Sequence, residues 1–224
     1  MNWDMRYFDL VEACAQPGCP VCRLTRHAVQ RYLDSVLYEG VNDPGVREGL
    51  RQARGYCHEH AGQLTDHTGQ ALGVAILQRD VVETALEQTA TMPLGRNARQ
   101  RARRLLQRLQ PTAECPACAH RRATEDHVLQ ALLQHNADET LAAALADSAG
   151  LCLPHFRRAL ELTTDAGALG RLVDLQRRTL TWLRDELSEF IRKNDYRFRD
   201  EGFGPEGDSW RRASGIVSGE RGER

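Results

Sequence analysis

The chain has 224 residues, of which 41% are hydrophobic and 27% are charged, and its formal net charge is −1. A chain of this length and composition can bury a hydrophobic core and form one large domain or two small ones. The balanced charge gives it no overall electrostatic attraction to nucleic acid or to a membrane surface.

The N-terminal residues predict a cytoplasmic protein. "MNWDMRYFDLVEACA" lacks the basic segment followed by an apolar run that marks a signal peptide. No apolar stretch approaches the roughly 20 residues that cross a bilayer, so we expect no membrane contact. Thiols remain reduced in the cytoplasm. The seven cysteines therefore favour metal binding or redox chemistry over structural disulfides.

The first cysteine pair lies in "GCPVCRL", residues 18–24. A C-x-x-C motif by itself is a weak signal, because it fits a redox-active dithiol, a disulfide or half of a metal site. Free cysteines also pack in cores as small apolar residues. The choice depends on whether the remaining sequence supplies the other half of a metal site.

Helical periodicity dominates the chain after this pair, and no alternating pattern predicts a strand. Residues 42–44 predict a turn, followed by a short helix that stops at Gly55. "CHEHAGQLTDH" begins another helix at about residue 57. The remaining predicted helices cover 21–39, 70–90, 96–108, 117–136, 138–148, 153–163 and 167–192. The sequence predicts an all-α fold.

The cysteine motifs occur twice. "CPVC" at 19–22 returns 96 residues later as "CPAC", and "GYCHEH" at 55–60 returns 95 residues later as "GLCLPH". This self-similarity predicts a tandem duplication, with a first repeat at 1–92 and a second at 93–194 that form a pseudo-twofold helical bundle. Residues 195–224 form a tail. We expect this tail to pack back partly through Trp210 and its other aromatic residues, and to be disordered over about its last eight residues.

Each repeat supplies three cysteines and one histidine in matching positions. The candidate ligands are Cys19, Cys22, Cys57 and His60 in the first repeat, and Cys115, Cys118, Cys152 and His155 in the second. Three thiolates and one imidazole suit tetrahedral zinc, so the pattern predicts two zinc ions per chain in closed structural sites, with iron as the alternative metal. We expect each ion to lie where two helix N-termini converge.

The duplication also removes two residues from the candidate ligands. His58 is nearer to Cys57 in sequence than His60 is, but the second repeat has Leu153 at its position. The counterpart of Cys14 is Gln110. Neither residue is therefore assigned to a metal site.

The segment "RNARQRARRLLQR", residues 96–108, contains six arginines. It could contact nucleic acid or another anion. The favoured interpretation is a solvated helix face, because arginine is nearly the sole cation of the chain and no aromatic residues are interleaved. In that case we expect four apolar side chains to pack inward: Ala102, Leu105, Leu106 and Leu109.

No catalytic constellation accompanies these motifs. G-x-S-x-G, a P-loop and a G-x-G-x-x-G after a strand are all absent, and "HEHAGQ" has the wrong spacing for a zinc protease. We expect the other histidines to be surface or packing residues: His27, His67, His120, His127 and His135. The sequence therefore predicts a non-enzymatic protein.

Three functions remain open. The first is a scaffold of two zinc-stapled helical units that binds a protein partner. The second is a redox-linked zinc switch, in which oxidation of Cys19 with Cys22, or of Cys115 with Cys118, releases metal, with Cys14 as an accessory thiol. The third, which the net charge disfavours, is nucleic-acid binding through residues 96–108.

The motifs together resemble a bacterial protein family known as a domain of unknown function. The resemblance rests on C-P-x-C followed by "RYLDSVLYEGVNDPGVREGL", on G-[aromatic]-C-x-x-H, and on the late "DYRFRDE" and "DSWRRA" segments. It covers most of the chain, and it implies a prokaryotic protein without implying an activity. The second repeat departs from the pattern, since "HNADETLAAALADSAG" replaces the turn at 42–44.

Overall fold

A computed structural model describes residues 5–198 and 200–220. These residues contain α-helices and no strand, which confirms the predicted all-α class. The α-helices are α1 (Met5–Cys14), α2 (Pro20–Ser35), α3 (Pro44–Ala53), α4 (His58–Thr65), α5 (Ala71–Thr89), α6 (Ala98–Leu109), α7 (Pro116–His135), α8 (Glu139–Asp147), α9 (Leu153–Leu162), α10 (Ala166–Lys193) and α11 (Ser209–Ser218). Over these two ranges, no helix is both long and apolar enough to cross a bilayer.

Local sequence signals explain where several helices begin. Asp43 accepts a hydrogen bond from the Val46 N–H group, and Pro44 follows it at the first helical position, so the predicted turn is the N-cap of α3. Asp138 caps α8 in the same way by accepting a hydrogen bond from the Leu141 N–H group. A five-residue π-helical turn, Val36–Gly40, continues directly from α2.

The described residues form two compact units. The terminal unit comprises residues 1–26 and 123–224, and its described part contains α1 and α8–α11. Its core is built mainly from leucines on several helices, together with Leu151 just before α9. The helical leucines are Leu10, Leu129, Leu132, Leu141 and Leu172. Helix α1, which the sequence analysis did not predict, packs against α8. The Tyr7 hydroxyl donates a hydrogen bond to Asp138 at this contact.

The central unit comprises residues 27–122. Leu33, Leu50, Leu64 and Leu77 form its buried core. Helices α3 and α5 pack together, and buried Asp80 joins them by accepting hydrogen bonds from Arg47 at 2.5 and 2.6 Å.

These units do not follow the predicted division at residue 92. The first 26 residues belong with residues 123–224, whereas residues 93–122 of the second repeat belong to the central unit. Helices α2 and α7 each contribute residues to both units, because they extend across positions 26 and 122. Each compact unit therefore contains parts of both sequence repeats.

Two further expectations need correction. None of the residues of α6 is buried, and Leu106 is 57% exposed, so the predicted inward packing is wrong for Ala102 and Leu106 and only partial for Leu105 and Leu109. Three arginines of this helix donate hydrogen bonds to backbone carbonyls of the preceding segment: Arg101 to Gly95, Arg104 to Leu94 and Arg108 to Thr91.

The tail packs more completely than predicted. Helix α11 contacts α9 and α10, and its buried residues are Ser209 and Ile216 rather than Trp210. Phe203 stacks on Phe190 with 5.2 Å between ring centroids. The expected disordered end does not include residues 217–220, because α11 continues to Ser218 and Glu220 is hydrogen-bonded. Residues 221–224 lie outside the described range.

Candidate metal centres

Each half of the cysteine pattern is the first turn of a helix. In C-P-x-C, the first cysteine directly precedes α2 or α7, the proline is the first helical residue, and the second cysteine follows in the same turn. In C-x-x-H, the cysteine is the N-cap of α4 or α9, and the histidine lies three residues later. Residues at this spacing lie on one face of a helix. Both halves therefore direct two ligands to one point beside a helix N-terminus.

The glycine of G-x-C-x-x-H has a conformational role. Gly55 and Gly150 have φ values of 95° and 70°, which L-residues with side chains rarely adopt. This left-handed residue turns the chain sharply just before the cysteine that caps the next helix. The motif thus contains both the turn and the ligands.

The terminal site consists of Cys19, Cys22, Cys152 and His155, all of which are buried. The Nδ1 atom of His155 lies 3.5, 3.4 and 3.1 Å from the sulfurs of Cys19, Cys22 and Cys152. The sulfurs of Cys22 and Cys152 are 3.6 Å apart. The N-termini of α2 and α9 meet at this site.

The central site consists of Cys57, His60, Cys115 and Cys118. The Nδ1 atom of His60 lies 3.2, 3.6 and 3.4 Å from the sulfurs of Cys57, Cys115 and Cys118. The sulfurs of Cys57 and Cys118 are 3.6 Å apart, as in the equivalent pair of the terminal site. The histidine is buried here, but the three cysteines are partly exposed.

Both arrangements fit a tetrahedral ion. Zinc binds sulfur at about 2.3 Å and nitrogen at about 2.0–2.1 Å, so a regular tetrahedron places sulfurs about 3.8 Å apart and a sulfur about 3.6 Å from the nitrogen. The observed distances of 3.1–3.6 Å lie close to these values. The four ligand atoms of each site lie within 4.8 Å of one another. The geometry and the donor set would suit one metal ion with three cysteine ligands and one histidine ligand at each site.

The structure corrects the predicted pairing of the two halves. Cys19 and Cys22 join Cys152 and His155, not Cys57 and His60. Correspondingly, Cys115 and Cys118 of the second repeat join Cys57 and His60 of the first. All eight predicted ligand residues lie in the two groups, but each C-P-x-C motif lies beside the C-x-x-H motif of the other repeat. The expected convergence of helix N-termini is correct for both groups.

His155 has a carboxylate behind it in the terminal site. Its Nε2 atom lies 3.5 Å from Oε1 of Glu125, on the ring edge away from Nδ1. Burial by itself lowers the pKa of this imidazole, but hydrogen bonds with Cys152, Cys22 and Glu125 outweigh burial and raise the pKa to about 11. A carboxylate in this position orients a ligand histidine and increases its basicity.

The thiols of the terminal site differ from one another. Burial raises the pKa of Cys19 well above that of a free thiol. Hydrogen bonds with Cys152 and Cys19 lower the pKa of Cys22. The backbone N–H group of Cys19 donates a hydrogen bond to Oε1 of Glu220 at 2.8 Å.

The central site lacks the carboxylate of the terminal site at the matching sequence position. The residue 96 positions before Glu125 is Val29, which is buried in the core of the central unit. Burial raises the pKa of Cys118 to about 12 and lowers that of His60. Beside this site, His120 stacks on Tyr32 with 4.9 Å between ring centroids.

The remaining cysteine and histidines lie outside both groups, as predicted. Cys14 is buried in the core of the terminal unit, and its burial raises its pKa to about 12. The histidines are surface or packing residues: His27, His58 and His127 are exposed, His67 pairs with Asp34, His120 stacks on Tyr32, and His135 packs edge-on against Tyr7. The sequence analysis missed Glu125 and Glu220, since neither forms part of a spaced motif.

The chain was compared with models of known protein families, and one of them matches it. The model of a family of unknown function, DUF6062, matches residues 1–223. The chain belongs to this family. A family relationship that covers nearly the whole chain confirms the resemblance inferred from the motifs.

One curated relative comes from Caldicellulosiruptor sp. (strain Rt8B.4), described as an uncharacterized 23.9 kDa protein in the xynA 3'region. It is 25% identical over 189 residues, which cover 84% of this chain and 88% of the relative. No solved structure matches the chain.

Proposed function

We propose that this protein is a non-enzymatic zinc protein, in which two Cys3His-bound ions stabilise a helical scaffold for a protein partner. The observation that carries the proposal is the pair of four-residue groups with tetrahedral spacing between their ligand atoms. Each ion would close a long chain segment, since Cys22 and Cys152 are 130 residues apart and Cys57 and Cys118 are 61 apart. Closing long segments lowers the conformational entropy of the unfolded chain, which favours the folded state.

The donor sets support a structural rather than a catalytic use of the metal. A catalytic zinc ion keeps one coordination position for water or substrate and has three protein ligands. Each site here offers four protein ligands, which would fill a tetrahedral ion. The proposal places the protein in the cytoplasm, where the six ligand thiols would stay reduced.

The central unit offers a surface for a protein partner. Helices α5 and α6 pack together and expose three large apolar side chains, Val82, Leu86 and Leu106. Exposed apolar side chains on neighbouring helices are a common feature of protein–protein contacts. Nucleic-acid binding is less well supported, because three arginines of α6 already donate to backbone carbonyls.

Elemental analysis together with a count of reactive thiols tests the metal assignment. Protein purified without added metal should carry two zinc ions. Denaturant alone should expose the buried thiol of Cys14, and the six ligand thiols should react only after a chelator is added as well. Two iron atoms in place of zinc would change the identity of the metal but leave its structural role in the proposal. Metal-free protein with all thiols reduced would contradict the proposal.

The partner is tested separately, by substituting Leu86 and Leu106 with glutamine and recovering the protein from its native host. The exposed positions leave the fold unchanged, so the variant should keep both zinc ions. A partner that co-purifies with the wild type and is lost from the variant supports the scaffold role. A chain that is recovered alone under gentle conditions would count against it.

A further inference from the structure

The two metal sites have the same ligands but different surroundings. Each site has a sulfur pair that joins its two motifs, Cys22–Cys152 and Cys57–Cys118, and both pairs are separated by 3.6 Å. All the ligands of the terminal site are buried, whereas the three cysteines of the central site are partly exposed. Ligand geometry therefore does not distinguish the sites, but access from solvent does.

The C-terminal residues 219–220, here called the strap, close the terminal site. Glu220 accepts the hydrogen bond from the Cys19 N–H group, and its other oxygen pairs with Arg26 at 3.2 Å. A side-chain carbon added at Gly219 would lie 3.9 Å from the Cys152 sulfur and 4.0 Å from the Cys22 sulfur. The strap thus passes directly beside two ligand sulfurs.

The residue before the C-P-x-C motif leaves room for the side chain of Glu220 only in the first repeat. Gly18 precedes Cys19, and a Cβ atom at Gly18 would lie 1.5 Å from Oε1 of Glu220. The matching residue before Cys115 is Glu114, whose side chain pairs with Arg122. The contact between strap and site therefore depends on a glycine that the second repeat does not have.

We propose that the central site is a peroxide-sensitive modification site, at which oxidation joins Cys57 to Cys118 and releases the metal, while the strap shields the terminal site. This inference rests on the proposed zinc binding. The two reactive cysteines lie on different helices, since Cys57 caps α4 and Cys118 lies in α7. The reaction is confined to the central site.

The reaction balances with hydrogen peroxide as the two-electron oxidant. One thiolate attacks a peroxide oxygen, the O–O bond breaks, and a sulfenic acid and a hydroxide ion form. The second thiolate attacks the sulfenic sulfur, the S–S bond forms, and a second hydroxide ion leaves. Two thiolates lose two electrons in total, and peroxide takes them up as two hydroxide ions. Cys115 and His60 then remain as two ligands, too few to hold zinc.

The test uses the full chain loaded with two zinc ions, whose metal content is measured first. Mild peroxide is added, released zinc is followed with a chromogenic chelator, and thiols are mapped by alkylation and peptide mass spectrometry. We expect release of about one of the two zinc ions and a Cys57–Cys118 disulfide, reversed by dithiothreitol and added zinc. Cys19, Cys22 and Cys152 should remain reduced.

Two variants test the strap. A chain ending at Ser218 lacks residues 219–224, and Glu220→Ala removes both contacts of the carboxylate; both should release the second zinc ion under the same peroxide treatment. Val217→Ala is the matched control, because this tail residue is 57% exposed and should behave as the wild type. Variants that still lose a single zinc ion would overturn the shielding role of the strap.

Other outcomes separate this inference from the proposed function. Parallel loss of both ions, or earlier oxidation of the terminal site, would overturn the inference and leave zinc binding intact. A disulfide between Cys115 and Cys118 in place of Cys57–Cys118 would overturn the assigned pair. Absence of zinc before peroxide is added would instead contradict the proposed function.

Discussion

His155 lies between the sulfur of Cys152 and the carboxylate of Glu125, with its Nδ1 atom 3.1 Å from the sulfur and its Nε2 atom 3.5 Å from Oε1 of Glu125. The carboxylate fixes which ring nitrogen faces the sulfurs. This arrangement is the one by which an outer residue tunes a zinc ligand. The corresponding residue in the first repeat is Val29, so the two sites should differ in affinity.

Glu125→Gln should weaken zinc binding at the terminal site by about 10–100-fold, because the imidazole loses its charged outer partner. Competition with a chelator of known affinity measures the change. The central site of the same molecule is an internal control, and Glu161→Gln is a control for charge at the surface, since Glu161 is 62% exposed. Equal weakening at both sites would contradict the role of Glu125.

The contrast between the motif residues and Glu125 shows which parts of the site could be predicted from the sequence. C-P-x-C and G-x-C-x-x-H are each complete within one helical turn, so their ligands and their position at helix N-termini could be predicted from local spacing. Glu125 belongs to no such motif, and its contact with His155 joins α7 to α9. Contacts of this kind depend on packing between distant segments.

The pairing of the motifs could not be predicted for a different reason. The two repeats carry the same motifs, so either C-P-x-C motif satisfies either C-x-x-H motif in ligand type and spacing. The choice depends on the path of the chain, and in particular on α2 and α7, which extend from one compact unit into the other. Sequence proximity favoured the pairing within each repeat, and that pairing is wrong.

Helix α6, which is rich in arginine, shows that apolar periodicity does not predict burial. Leucine spacing in α6 predicted an inward apolar face, but Leu106 is exposed and only Leu105 and Leu109 are partly covered. Periodicity reveals that one face is apolar without revealing what covers it. In the described residues this face is only partly covered.

Asp80→Asn should destabilise the central unit by about 2 kcal/mol, because Arg47 and Arg51 lose their shared counter-charge. This loss of unfolding free energy is smaller than that for breaking a fully buried ion pair, since the two arginines are 28% and 36% exposed. Urea unfolding of zinc-loaded protein measures the change. Glu48→Gln is the control: Glu48 is 52% exposed, so loss of its pair with Arg51 should leave the free energy of unfolding almost unchanged. Similar effects of both substitutions would contradict this account.

Glu206 should make the stability of the terminal unit depend on pH. Its hydrogen bonds with Lys193 and the Gly204 N–H group lower its pKa from 4.5 to about 2. A lowered pKa stabilises the folded state above the ordinary pKa of the carboxyl group, and the contribution is lost as the pH falls from 4.5 towards 2. The gap in melting temperature between wild type and Glu206→Gln should therefore be largest at neutral pH and shrink below pH 4.5.

Zinc loss at low pH affects both proteins in that comparison, so the difference between them isolates Glu206. Glu201→Gln provides a matched control in the same segment, because Glu201 pairs with Arg192 and is 48% exposed. Arg192 lowers the pKa of this carboxyl as well, so the gap for Glu201→Gln should change with pH in the same direction, but by less because the pair is exposed. A gap for Glu206→Gln that widens as the pH falls would have the wrong sign for this account.

The crossed pairing of the two repeats is the central claim, and zinc stoichiometry in three double variants tests it most directly. Cys22 and Cys152 belong to one site, whereas Cys22 and Cys57 belong to different sites. Elemental analysis should therefore find one zinc ion in Cys22→Ser/Cys152→Ser and none in Cys22→Ser/Cys57→Ser. Cys57→Ser/Cys118→Ser should also keep one ion. Retention of one ion by Cys22→Ser/Cys57→Ser, with none in Cys22→Ser/Cys152→Ser, would contradict the crossed pairing and restore a site within each repeat.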